Sequence, residues 1–382
     1  MTDIRVVDQL EDVAKADWDR LVGDDGFYLS YDWLRFIESE QLTTARYLLA
    51  SDSGILCGAL PLYQPRRELR SAHDPEHAVS KLGLSGEYLI AGAMRGFRTA
   101  LLVAPDRPGG ADDPLTALLE TAAELAAKEG YAGVTLPYLS TSGLLDLARV
   151  IGVRATFHAA EAEFVGCGDG LQSFSAQVRH RVRSKIRSDR ARFAEANWQV
   201  LILHLDECWQ DAVQLLVKLE GKYGNAPRTA GLERTLSSQA KLLSPASVVF
   251  ACADEQGIAG LALCYRWRST MYGRIVGFDY DRLRNGCEYF NLAFYEPIEY
   301  CRGAGLDRHH AGLTAWEAKG FRGALMRPRW SAAVAAGSAA GKPRLELVGT
   351  GEEHLAEFAN RHISYDPAEW AMPVQFAAEV RG

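Results

Sequence analysis

The stretch SVVFACADEQGIAGLALCYRW, residues 247–267, holds two runs of β-forming residues separated by a break at Asp254–Gly257. So short a break is a tight turn, and the two runs are expected to pair antiparallel, because parallel neighbours need a long crossover. Downstream, MYGRIVGFD (271–279) reads as another strand. CEYFNLAFYEPIEYCRGAG (287–305) reads as a helix stopped at Gly303 or Gly305, and Leu306–His310 as a short strand. Upstream, LDECWQDAVQLLVKLEGKYG (205–224) is helical up to Gly221, and Gly231–Leu242 predicts a second helix. The first half repeats this order. Tyr31–Glu40 carries Trp33, Leu34, Phe36 and Ile37 at helical spacing behind Ser30 as cap, and ARYLLASDSGILCGALPLY (45–63) is a second strand pair. A polar loop at 66–81, a helix over Asp113–Gly130 and a strand over Ala132–Leu136 complete it. Two copies of one α/β (α+β) unit, each with a mixed, largely antiparallel sheet, are expected. The boundaries on this reading are 1–165 for the first domain, 166–195 for a basic interdomain helix segment and 196–330 for the second domain. SAAVAAGSAAGKPR (331–344) reads as a surface linker, and 345–382 as a C-terminal extension docked through Tyr365, Trp370 and Phe376.

Composition narrows the function. The 382 residues are 48% hydrophobic and 24% charged, an ordinary globular balance for two domains. With 42 basic and 49 acidic residues the net charge is −7, which excludes a protein that coats nucleic acid, leaves DNA out as a partner, and still allows a local basic patch. The seven cysteines, at 57, 167, 208, 252, 264, 287 and 301, form no CxxC pair, so neither a zinc knuckle nor a disulfide framework is expected, and no metal site. MTDIRVVDQLEDVAKADWDRLV lacks the basic-then-apolar order of a signal peptide. No apolar run reaches the ~18 residues of a membrane span, so a reduced, cytoplasmic protein is expected. GxSxG, HExxH, EF-hand and GxxxxGK[ST] patterns are all absent from the sequence. GCGDG (166–170) reads as a turn, and His309–His310 as structural, since adjacent strand residues face opposite ways.

Two segments could carry chemistry. RHRVRSKIRSDRARF (179–193) holds seven basic residues against one acid, Asp189. Arg179, Arg183, Arg187 and Arg190 follow at helical steps, with Lys185 and Arg192 nearby. Such a stripe is either a solvated or internally paired face or a phosphate-binding one, and a donor's phosphates would offset its self-repulsion. The second segment spans 272–323. Asp279 and Tyr280 stand at a strand end, Glu288 and Tyr289 in the helix behind it, and Glu317, Lys319 and Arg322 alternate charge further on. A carboxylate with a tyrosine beside a phosphate site suits an amine that is deprotonated to attack a carbonyl.

YLSYDWLRFIE, GEY (86–88), VRSKIRSDRARF, KYG (222–224), and above all MYGRIVGFDY…CEYFNLAFYEPIEYCRGAGLDR…EAKGFRG resemble the Fem-like branch of the GNAT acyltransferase superfamily. More narrowly, they resemble tandem GNAT-like proteins of the peptidoglycan-biosynthesis type, over roughly residues 25–330. The resemblance implies two GNAT-like domains and an amide-forming acyltransferase. Its donor would be an aminoacyl-tRNA and its acceptor the amine of a small molecule, a natural-product or cell-wall precursor. It implies catalysis by Asp279 as base, with Glu288, Tyr280 and Tyr289 in support. Donor phosphates of a tRNA acceptor stem would lie on Arg179, Arg183, Lys185, Arg187 and Arg190, and the acceptor cleft would hold Glu317, Lys319 and Arg322. No tightly bound cofactor is implied, the acyl donor being a co-substrate. The sequence departs from the family at Ala318 and Ala324, where His and Phe are usual. After Asp279, DRLRNGCEYF also lacks the second small residue of a coenzyme A pyrophosphate loop. An acyl-CoA or carrier-thioester donor is the alternative, and a non-catalytic binding or scaffold protein the third reading.

Overall fold

The computed structural model describes residues 2–66, 73–105, 113–226 and 228–380. The chain divides into unit 1 (Met1–Ala160, Arg327–Glu357, Asp366–Gly382) and unit 2 (Glu161–Met326, Phe358–Tyr365).

In unit 1, strands β1 (Asp3–Val7), β2 (Ala45–Asp52), β3 (Ile55–Tyr63) and β4 (Tyr88–Ala91) pair antiparallel in order. The β2–β3 turn at Ser53–Gly54 has φ values of 51° and 81°, the second at a glycine, which takes it without strain. A two-residue β5 (Leu102–Val103) lies on β3, and β6 (Gly133–Leu139) runs parallel to β4. The helix Pro114–Glu129 starts on the Asp113 side chain, which accepts from the Leu115 amide, and ends at Gly130 with φ 83°. Residues 66–81 depart from the expected loop. Residues 67–72 lie outside the described residues, but Pro75–Lys81 is a helix capped by Asp74, with Pro75 supplying a preset φ in its first turn. The long strand β7 (Val153–Val165) begins in unit 1 and ends in unit 2.

Unit 2 opens with helices Gly170–Gln177 and His180–Glu195, then β8 (Gln199–Leu203) and helices Leu205–Lys222 and Thr229–Leu243. Strands β9 (Ser247–Asp254), β10 (Gly257–Trp267) and β11 (Thr270–Phe278) form the expected antiparallel meander. After a helical segment over Glu288–Ala304 comes β12 (Arg308–Gly312), parallel to β11 and antiparallel to the end of β7. The unit 2 sheet order is β7-β12-β11-β10-β9-β8.

The expected linker is corrected. Residues 331–335 end strand β13 (Leu325–Ala335), paired antiparallel with β6, with Ser331 and Ala332 fully buried. Alanine and serine runs lack bulk and read as unpacked, yet a sheet interior accepts small side chains where its neighbours are large. The C-terminal residues 345–382, expected to dock through their aromatics, are divided between the two units. Strand β14 (Leu345–Gly349) pairs parallel to β7 in unit 1, where helix Pro367–Glu379 buries Trp370 against Phe157 at 5.2 Å. Strand β15 (Ser364–Tyr365) pairs with the start of β13 in unit 2. No helix among the described residues is long and apolar enough to cross a membrane.

Candidate active site

The parallel pairing of β11 and β12 covers only Thr270, Met271 and Tyr272 opposite Arg308, His309 and His310. Beyond it the strands part, and each has a local cause. On β11 the register against β10 slips between Leu263/Ile275 and Cys264/Gly273, leaving Arg274 as a bulge. On β12 the register against β7 slips between His310 and Gly312, leaving Ala311 extra. A bulge bends its strand and sharpens its twist, so two facing bulges open a fork. Gly273 stands at its root. A Cβ there would lie 3.2 Å from the His310 carbonyl oxygen, a tight contact that a larger residue could make only by pressing the strands slightly apart. The helical segment behind β11 contains a π-turn over Asn291–Tyr295, a feature that recurs at functional sites.

A polar cluster sits where the fork opens. Glu161, on the unit 2 part of β7, contacts His310 Nε2, and both side chains are fully buried. The His310 ring stacks on Tyr272, centroids 5.1 Å apart. Lys319, from the short helix Trp316–Gly320, is 3% exposed and donates from Nζ to the Gly312 carbonyl at 3.2 Å. Burial pushes its ammonium down from 10.5 to about 7, against an opposing pull from Glu161. Lys319 therefore changes charge near neutral pH. Sequence reading placed Lys319 in the cleft but took His310 as structural and passed over Glu161. The available signal was the pair of carboxylates, Glu161 and Glu163, in the otherwise apolar EAEFV run of β7. His309 does have a structural place, its Nε2 lying 2.8 Å from the Ala293 carbonyl oxygen, and burial pushes its pKa to about 4.

The other expected residues lie further along. Asp279 is buried beyond the end of β11 with its carboxylate on Lys218 Nζ, while its carbonyl accepts from the Arg282 amide at 3.0 Å. At ~3.3 Å per residue, Asp279 is about 20 Å along the strand from Tyr272. Asp279 is thus held by Lys218, whereas Lys319 is held by the Gly312 carbonyl, with no contact between the two among the described residues. Tyr280 has Lys222 Nζ 3.2 Å from its ring centroid. Glu288 is fully engaged. Its carboxylate accepts from Trp198 Nε1 at 3.0 Å and from the Arg284 amide at 2.9 Å. Burial alone would raise its pKa, but these bonds and those from the Gly286 and Glu288 amides outweigh it and hold the acid below its ordinary value. Tyr289 packs edge-on against Phe294, centroids 5.3 Å apart, and burial pushes its phenol up to about 12. Its hydroxyl has no hydrogen-bond partner among the described residues.

The arginine helix forms as expected, but its charges are spent differently. Arg183 donates to the carbonyls of Ser175, Ala176 and Val178, closing the end of the preceding helix. Arg190 is bound to Glu296 and Asn291, and Arg179 to the His362 carbonyl at 3.4 Å. Lys185 lies 3.3 Å from Asp189. Asp189 is a buried hub that accepts from Tyr295 Oη at 2.8 Å and from Arg322 at 2.9 and 2.8 Å. Arg183, Lys185 and Arg187 thus share no anion site. Helix ends and buried acids within reach outcompete solvent for long side chains. Arg181 and Arg187 are exposed and take no partner among the described residues. Glu317 pairs with Arg361 at 2.5 Å, and Arg322, held by Asp189, lies over the Phe290 ring.

The FemAB-like profile, described as peptidoglycan biosynthesis/recognition, matches residues 99–343, more than half of the chain. The chain belongs to the FemAB-like family. Among solved structures this FemAB-like chain is similar to FemX, with 12% identity over 84% of this chain and 96% of that one and a TM-score of 0.60. It is also similar to a conserved protein of unknown function from Bacteroides thetaiotaomicron VPI-5482, with 13% identity over 87% and 100% and a TM-score of 0.57. A tandem GNAT protein from the clavulanic acid biosynthesis pathway matches at 12% identity over 88% and 99%, TM-score 0.48. At these identities the likeness is one of fold. No curated protein matches the sequence significantly.

Proposed function

We propose that this FemAB-like chain is an amide-forming acyltransferase. It would move an aminoacyl group from an aminoacyl-tRNA to the amine of a small-molecule acceptor, a cell-wall or natural-product precursor, with its chemistry at the fork of unit 2. The supporting observation is Lys319, buried at the fork and titrating near pH 7. A base serves best when its pKa lies near the working pH, and most lysines titrate three pH units too high. The acceptor nitrogen bonds to the ester carbonyl carbon, the bond from that carbon to the ribose oxygen breaks, and one amine proton ends on the released hydroxyl. Lys319 as the neutral amine takes that proton and returns it to the leaving oxygen. Exposed Arg181 and Arg187 supply two phosphate contacts for the donor, enough for a terminal stem in a chain of net charge −7.

The test is transfer of a labelled aminoacyl group from charged tRNA to a panel of amines, with Lys319→Met and Asp279→Asn run beside the wild type. Lys319→Met is expected to lower the rate by about 10²-fold or more and to abolish a pH limb near 7, while Asp279→Asn stays close to wild type. The opposite pattern would move the chemistry to the strand end.

A further inference from the structure

Side chains alternate along a strand, so Glu161 and Glu163 stand on one side of β7 and Ala162 and Phe164 on the other. The partner strand β12 sets His310 directly opposite Glu163 and His309 opposite Phe164. Opposed residues share a face. On one face the His309 ring stacks on Phe164, centroids 5.8 Å apart. On the other, His310 reaches diagonally to Glu161, while Glu163 lies 3.9 Å from Arg308. Lys319 is tied to the same place. It donates to the Gly312 carbonyl, and Gly312 pairs with Ala162, the residue after Glu161. The charge of Glu161 is also the one that opposes burial on the lysine. Glu161 and His310 are fully buried and Lys319 is 3% exposed, yet transfer at Lys319 leaves the first two without a role.

Three ionisable groups enclosed together do not titrate independently. Water is excluded, so arrangements with a net charge are penalised. With Glu161 ionised, a neutral arrangement puts one proton either on His310 or on Lys319. Contact decides between them. The carboxylate meets the His310 ring directly, where a charge-assisted bond gains most, whereas the Lys319 bond to a carbonyl is made by an amine N–H as well as by an ammonium. We propose that Glu161 and His310 are positioning residues for Lys319: their buried pair keeps the cluster's proton on His310, so that Lys319 waits at the fork as a free amine. When Lys319 takes the acceptor's proton, Glu161 stabilises the ammonium, that proton returns to the leaving oxygen, and His310 keeps its own. The catalytic part rests on the acyltransfer reading; the place of the proton does not. Around the cluster, β11 supplies Tyr272, stacked on the His310 ring, and Arg274 at its bulge, and β12 supplies Arg308. The arginines stay charged throughout, and His309, depressed to about 4, stays neutral.

Two measurements on the full chain test this without turnover. The first is NMR of wild type carrying nitrogen-labelled histidine, at pH 8, where the ring nitrogens distinguish imidazolium from imidazole. His310 is expected as the imidazolium beside a neutral His309, and a neutral His310 overturns the proposal. The second locates the pH at which Lys319 gives up its proton, from urea unfolding of each protein against its own Lys319→Met counterpart. Glu161→Gln should lower that pH by about one unit or more, because the charge that favours the ammonium is gone. His310→Gln should raise it by about as much, because Glu161 then pairs with Lys319. The pH limb of transfer should move with it in both variants. A packing role would cost stability and shift neither, so values that stay in place, or move in the same direction, overturn the proposal. Should either variant not fold, the wild-type NMR result decides. A neutral His310 in an enzyme whose transfer depends on Lys319 refutes this inference alone, and the expected titration without transfer refutes the functional reading alone.

Discussion

Replacing Lys319 by methionine tests the fork through stability as well as rate. The side chain is 3% exposed, and burial depresses its ammonium from 10.5 to about 7. Between those values the unfolded chain carries a proton on Lys319 that the native chain has released. The unfolded state binds more protons, so native stability from this group rises with pH through that window. Its contribution is lowest at and below pH 7, where the native protein must hold a buried charge, and it levels off above 10.5. Each pH unit inside the window is worth about 1.4 kcal/mol, so between pH 7 and 9 wild type should gain ~2–3 kcal/mol relative to Lys319→Met, which has nothing to titrate. Methionine nearly matches the lysine stem in volume, so packing changes little and the variant should be the more stable of the two at pH 7. The assay is urea unfolding of both proteins at half-unit steps from pH 6 to 9.5, read as the difference between them. His309, depressed to about 4, titrates below this range and is common to both. Parallel stability curves, with no change in the difference across the window, would mean that Lys319 is solvated and fully charged, and the neutral base at the fork would be lost with it.

Asp189→Asn should cost about 3–5 kcal/mol in urea unfolding, because it strips the counter-charge from buried Arg322; a loss below 1 kcal/mol would show the pair to be solvated. Reversing Arg181 and Arg187 together to glutamate should weaken tRNA binding and flatten the slope of log affinity against log salt by about 2, whereas Arg183→Gln should leave that slope unchanged and act on stability. An unaltered slope in the double variant places the donor elsewhere. Deleting Arg274 should remove the β11 bulge and close the fork, with circular dichroism preserved and transfer abolished; retained transfer would separate the fork from the chemistry.

Much of the fold is local and was legible. The two strand pairs follow from alternating β-formers around Ser51–Gly54 and Asp254–Gly257, and the arginine helix from its own composition, because turn geometry and helix propensity are decided within a few residues. The expected first-domain boundary at 165 falls within β7, the strand in which the division after Ala160 occurs. Tertiary structure alone decided the rest. The acid of the arginine helix, Asp189, is a hub only because the fold returns Arg322 to it from 133 positions away. Glu161 meets His310 only through the pairing of β7 with β12. The alanine-rich run at 331–335 becomes an interior strand because β6 lies beside it. Lys319 titrates near neutrality because the sheet around it excludes water, and no stretch of WEAKG carries that information. Propensity, capping and periodicity act between near neighbours along the chain. Burial, charge pairing and the pKa of a buried group depend on which distant segments arrive, and that is settled only when the sheet has closed over them.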